Sequence, residues 1–160
     1  MSIVSPFKEH RGQVLPEWID YNGHMNVAFY VLAFDRATDD FFDHLGLTRE
    51  YRDSTGCTTF ALESHISYLR ELKLDEPYEI HTQLIDHDEK RIHFFHYMVH
   101  ADEGYLAATI EILSMHIDRS GPKAVPLPPA IAQRTAAVSV EHLQLPKPKQ
   151  LGSKIGIRRS

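Results

Sequence analysis

The segment EWIDYNGHMN, residues 17–26, sets Asp20, Asn22, Gly23 and His24 within five positions, with the aromatic residues Trp18 and Tyr21 interleaved. A carboxylate, a side-chain amide, a glycine and an imidazole at this density can do one of two things. As a helix cap, Asp20 or Asn22 accepts hydrogen bonds from the first free N–H groups of a helix, and Gly23 permits a tight turn. As a hydrolytic site, the same helix start aims its N–H groups at the charge developing on a carbonyl oxygen. An adjacent carboxylate then attacks the carbonyl or activates a water. Each residue alone reads as a cap; the combination reads as a site that needs neither serine nor cysteine.

A second polar set is Glu63, His65 and Ser67, which share one face of a strand by period-two alternation. A water-facing edge or an ion pair between subunits accounts for it as well as catalysis does. The eleven histidines do not suggest a metal. His96 and His100 share a strand face with Met98 between them, His93 points the other way, and no HxxxH helix accompanies them. Cys57, the single cysteine, excludes an internal disulfide and a CxxC pair and reads as a small semi-buried residue. With no glycine-rich phosphate loop either, no cofactor is expected.

One long helix must carry the Asp20 loop. From Met25 to Leu45, Val27, Tyr30, Val31, Phe34, Ala37, Phe41 and Leu45 recur at helical spacing, and Gly46 supplies the stop. Val27 to Phe34 is apolar on every side, so the first half is expected to be enclosed. Strand-like runs follow at 58–72, 77–86, 91–102 and 104–118, rich in β-branched and aromatic residues. The turns DHDEK (86–90) and ADEGY (101–105) predict that the last three form an antiparallel meander. Before the helix, RGQVLPEW reads as a short strand interrupted at Pro16, an edge rather than a centre, after an irregular start. From about residue 121 the chain reads as a proline-rich connector, a short closing helix and a solvated basic tail. The whole, 1–160, is expected to be a single α+β domain in which a curved antiparallel sheet grips one helix.

The 160 residues carry a net charge of −5 and 42% hydrophobic residues, a balance that argues against a nucleic-acid binder. No run approaches the roughly 20 apolar residues of a membrane helix. The segment MSIVSPFKEHRG lacks the pattern of an export signal, so a cytoplasmic protein is expected. Lys147, Lys149, Lys154, Arg158 and Arg159 gather after the last acidic residue, Glu141.

The order strand, D-x-x-G-H-x-N loop, helix and four strands resembles the hot-dog fold of the 4-hydroxybenzoyl-CoA thioesterase-like family over residues 8–130. The resemblance implies a catalytic acid at Asp20, acting as general base or nucleophile. It implies an oxyanion donor at the backbone N–H of Gly23 or His24, with Asn22 and His24 orienting the site. Because hot-dog thioesterases build their sites between protomers, it also implies a homodimer, or a homotetramer. In such an assembly Glu63 can assist Asp20 from the neighbouring subunit, with His65 beside it as a substrate contact.

Within that family, PEWIDYNGHMN, ATDDFFDHLGL, LESHISYLREL and DEKRIHFFH are similar to the betainyl-CoA thioesterases of carnitine breakdown. That likeness implies hydrolysis of betainyl-CoA to glycine betaine and CoA. Trp18, Tyr21 and Tyr30 are then candidates for an aromatic cage around the cationic acyl group, although packing against the sheet explains Tyr30 better. Another short, medium-chain or aromatic acyl-CoA is the competing substrate, and a non-catalytic acyl-CoA-binding protein of the same fold is the competing class. The intact Asp20 speaks against the latter.

Overall fold

The computed structural model describes residues 6–160. Its elements run β1 (Phe7–Gln13), α1 (Val27–Leu45), α2 (Arg49–Thr55), β2 (Cys57–Tyr68), β3 (Pro77–His87), β4 (Arg91–His100), β5 (Leu106–Asp118), β6 (Lys123–Ala124) and α3 (Pro129–His142). The strands form one antiparallel sheet in the order β1-β3-β4-β5-β2, with β6 adding a short pair to β5. β3, β4 and β5 are the expected meander. β1 and β2 are its edges. Among the described residues, no helix is long and apolar enough to cross a membrane.

The sheet curls around α1, whose Ala33, Phe34, Ala37, Phe41 and Leu45 are completely buried against Ile80, Leu84, Ile92, Phe94 and Met98. This is the hot-dog arrangement. Burying five such side chains removes most of one helix face from water, the dominant favourable contribution to a core of this kind. One polar link crosses the apolar layer. His96, wholly buried on β4, bonds Thr38 Oγ1 of α1 through Nε2 at 2.8 Å and Thr82 Oγ1 of β3 through Nδ1 at 2.7 Å. Burial drives its pKa down to about 3, so the ring is neutral, with both nitrogens satisfied.

Several expectations need correction. The first strand spans Phe7–Gln13, starting earlier than expected, and it ends before Pro16, which opens a single 3-10 turn, Pro16–Trp18. Part of the stretch expected to be irregular is therefore strand; residues 1–5 lie outside the described residues. Helix α1 starts at Val27, with Asn26 as its cap. Its first half is not fully enclosed within one chain, since Val27 and Val31 remain exposed. Helix α2 is an addition, held by Thr48, whose hydroxyl accepts from Tyr51 N at 3.1 Å. The closing helix α3 runs for 14 residues and reaches β3 through His142, whose Nδ1 accepts from Leu84 N at 2.8 Å.

Candidate active site

The Asp20 loop is a small hairpin. Asp20 N donates to His24 O at 3.0 Å, and Gly23 N donates to Asp20 O at 3.0 Å. Gly23 has a φ of +79°, which closes a three-residue turn that a side chain would strain. Ile19 and Met25 form a β-bridge at its base, and Met25 N donates to Leu72 O at 2.8 Å. The loop is thereby fixed between the start of α1 and the segment that leaves β2.

Its carboxylate is held on both oxygens. Asn22 N donates to Asp20 Oδ1 at 2.8 Å, and Asn26 Nδ2 reaches Oδ2 at 3.4 Å. The other end of the Asn26 amide caps α1, its Oδ1 accepting from Ala28 N at 3.0 Å. The cap is thus Asn26, not Asp20 or Asn22, which leaves Asp20 free of the structural duty that the sequence allowed it. A cleft of about 350 Å³ opens beside it, lined by Asp20, Asn22, His24, Val27, Tyr30, Tyr68, Arg70 and Glu71 among others.

The Gly23 N–H expected as an oxyanion donor is already bonded to Asp20 O, so it cannot serve. Two N–H groups along the cleft, those of His24 and Val27, have no acceptor among the described residues. The Val27 N–H is the first of α1, where the helix dipole adds to its pull on negative charge.

The aromatic candidates divide. Tyr30 is buried, its hydroxyl accepts from Leu72 N at 3.2 Å, and its ring meets Tyr68 edge-on at 5.3 Å. Desolvation pushes its pKa up against the opposing effect of the Leu72 hydrogen bond, so it stays a neutral phenol. Both rings line the cleft. Trp18 does not: it is buried, stacked on Phe29 at 5.6 Å, with the Arg36 guanidinium 5.8 Å from its ring centre. Tyr21, 96% exposed at the tip of the turn, is not part of the lining either.

Glu63 and His65 are also placed elsewhere. Ser64 lines a groove against α1 and Ile66 packs on the core, so the alternating Glu63 and His65 point to the outer face of the sheet, opposite the helix. There His65 Nδ1 lies 2.7 Å from Ser153 O, and Glu63 shares a hollow with His93 and Glu111. Within one chain neither approaches Asp20. This outer-face position agrees with the water-facing alternative and leaves the expected role of Glu63 to a neighbouring subunit.

Three cleft residues had not been singled out: Tyr68, Arg70 and Glu71. Arg70 stacks 3.8 Å from the Tyr105 ring centre and lies 3.8 Å from Glu103. The Glu71 carboxyl is held below its ordinary range chiefly by its own backbone N–H; partial desolvation opposes this, and His24, Lys73 and Arg70 assist. Their signal was the end of the β2 alternation at Tyr68, but the pairing of Met25 with Leu72 that brings them to the loop is long-range. Among the described residues, no set of three or more His, Cys, Asp or Glu side chains is arranged to hold a metal.

A sheet wrapped on one helix, with a carboxylate poised beside that helix's free N-terminal N–H, is the frame of a hot-dog hydrolase. The chain matches the thioesterase-like superfamily over residues 14–135 and belongs to it, and its chemistry is thioester hydrolysis. It is 40% identical over 144 residues to the betainyl-CoA thioesterase of Pseudomonas aeruginosa, covering 90% of this chain and 91% of that one. It is 33% identical over 157 residues to an L-carnitine dehydrogenase/betainyl-CoA thioesterase of Agrobacterium fabrum, covering 96% of this chain but 31% of that longer protein. A Staphylococcus aureus protein solved in complex with CoA superposes with a TM-score of 0.90 at 31% identity, covering 99% of both chains.

Proposed function

We propose that the protein hydrolyses betainyl-CoA to glycine betaine and CoA. The observation that carries the reading is the Asp20 carboxylate, fixed by Asn22 and Asn26 in the cleft that also holds the free Val27 N–H. The thioester oxygen accepts from Val27 N–H, and His24 N–H if it turns inward, while Asp20 acts on the carbonyl carbon directly or through a water. Cleavage of the C–S bond releases CoA as the thiol, and water supplies the acid's second oxygen. Asn22 holds the carboxylate, and the His24 ring lines the same cleft.

The acyl group fits the same cleft. In betainyl-CoA a single methylene separates the cationic nitrogen from the carbonyl carbon, so whatever recognises the charge must lie next to Asp20. Tyr30, Tyr68 and the Glu71 carboxylate meet that condition. Trp18 and Tyr21 do not, which moves the proposed cage from the loop to the β2 side.

The working unit in this reading is a homodimer joined along β2, with a tetramer as a further assembly. β2 is an unpaired edge in the single chain, Phe60, Leu62, Tyr68 and Leu69 expose apolar surface along it, and Val27 and Val31 of α1 are also bare. The proposed location is the cytoplasm, where CoA thioesters are made and used. The test is loss of thioester absorbance with betainyl-CoA, acetyl-CoA, a medium-chain acyl-CoA and 4-hydroxybenzoyl-CoA. The reading expects the largest kcat/KM for betainyl-CoA; a larger value for any of the others replaces the substrate.

A further inference from the structure

The chain after α3 is largely exposed, as expected of a solvated tail, but as far as Ser153 it is tied to the sheet. It crosses the outer face of the sheet and meets the strands in spatial order. Pro146 O accepts from Gln83 Nε2 of β3 at 3.3 Å, Gly152 N donates to Glu111 Oε1 of β5 at 2.6 Å, and Ser153 O lies 2.7 Å from His65 Nδ1 of β2. Between them, residues 145–150 lie over Tyr97 and Val99 of β4. The path therefore leads from the middle of the sheet to its β2 edge, and Ser153 stands at that edge with seven residues still to come.

Those residues, KIGIRRS, are all exposed and include two isoleucines: Ile155 is 93% exposed and Ile157 is 81% exposed. Extended at about 3.3 Å per residue, residues 154–160 reach roughly 20 Å, or about four inter-strand spacings beyond β2. Nothing of the chain's own sheet lies past that edge. We propose that residues 154–160 are an arm that crosses the β2 edge and packs on the outer face of a second copy of this chain. The proposal rests on the β2-joined dimer described above.

The surface that a second copy offers is complementary. An antiparallel two-fold pairing that uses the whole of β2, Cys57–Tyr68, sets the partner subunit's Phe60 opposite His65, the residue that anchors the arm. Thr59 and Ala61 face α1, so Phe60 between them points to the outer face, and it is exposed within one chain. The arm's Ile155 thus meets an aromatic side chain that is 44% exposed within one chain. Arg158 and Arg159 lie in a tail without acidic residues, while the outer face carries Glu63, which has no ion-pair partner among the described residues, together with Asp86.

Cross-linking in the full-length protein tests this. In a Cys57→Ser background, Phe60→Cys and Ile155→Cys are combined and oxidised, and species are separated without reductant beside sedimentation of the wild type. A covalent dimer that neither single cysteine variant forms supports the arm. A disulfide closed within one chain overturns it, since the arm then lies on its own strand. No cross-link in a protein that sediments as a dimer also overturns the arm while leaving the dimer intact. A wild type that sediments as a monomer at micromolar concentration removes the dimer reading and the arm with it. As a second measurement, Ile155→Asp with Ile157→Asp is expected to weaken dimerisation on the order of a hundredfold, with secondary structure unchanged; an unaltered dissociation constant contradicts the proposal.

Discussion

Asn26 ties Asp20 to helix α1: its amide nitrogen lies 3.4 Å from Asp20 Oδ2, and its amide oxygen accepts from Ala28 N at 3.0 Å. The helix start and the carboxylate proposed to react therefore share one side chain. The free Val27 N–H lies between these two anchors in sequence, immediately after Asn26. A residue that caps and positions at once can be tested by separating the two duties.

Asn26→Ser keeps a capping oxygen and loses the amide donor, whereas Asn26→Ala loses both. The serine variant is expected within a few tenths of a kcal/mol of wild-type stability and the alanine variant about 1 kcal/mol below it. Both are expected to lower kcat about tenfold, because both release one oxygen of Asp20. Thermal melts beside steady-state kinetics check this; a kcat that follows Tm across the pair would reduce Asn26 to a cap.

Tyr68 gives a test of acyl recognition. Tyr68→Leu retains bulk against Tyr30 but removes the π face, so KM for betainyl-CoA is expected to rise about 5- to 30-fold while that for acetyl-CoA changes little. Equal effects on the two esters would make Tyr68 a packing residue.

His96 makes stability depend on pH. Its folded pKa of about 3 lies below the ordinary 6.5, so between those values the unfolded chain binds a proton that the folded chain excludes. Stability associated with the neutral ring is therefore complete above about pH 6.5 and is lost as pH falls toward 3, by up to about 1.4 kcal/mol per pH unit. Urea melts from pH 7 to pH 4 are expected to show a shallower decline in His96→Gln than in wild type. Parallel slopes would contradict the burial argument.

Much of the frame was legible in the residues. The helical repeat from Val27 to Leu45 and the alternation in the later strands follow from local period, and the turns at 86–90 and 101–105 carry their own chemistry. Asp88 shows this, accepting from Lys90 N at 2.9 Å and Arg91 N at 2.7 Å. What failed depended on distant contacts. Which face of β2 meets α1 is set by a bulge between Ala61 and Glu63, and a one-residue shift reverses every side chain. Trp18 looked available beside the Asp20 loop because its covers, Phe29 and Arg36, come from the far side of that loop. The cleft wall of Tyr68, Arg70 and Glu71 reaches the loop through long-range contacts, the bond between Met25 and Leu72 and those of Tyr30 with Leu72 and Tyr68.

The most direct test of the account is single-turnover hydrolysis of betainyl-CoA by Asp20→Asn, followed by loss of thioester absorbance. Asparagine preserves the shape of the side chain and its bond from Asn22 N, and removes the charge proposed to act on the carbonyl. The account predicts a rate lower by on the order of a thousandfold with substrate affinity close to wild type. A variant that turns over within about tenfold of wild type would show that another group performs the reaction.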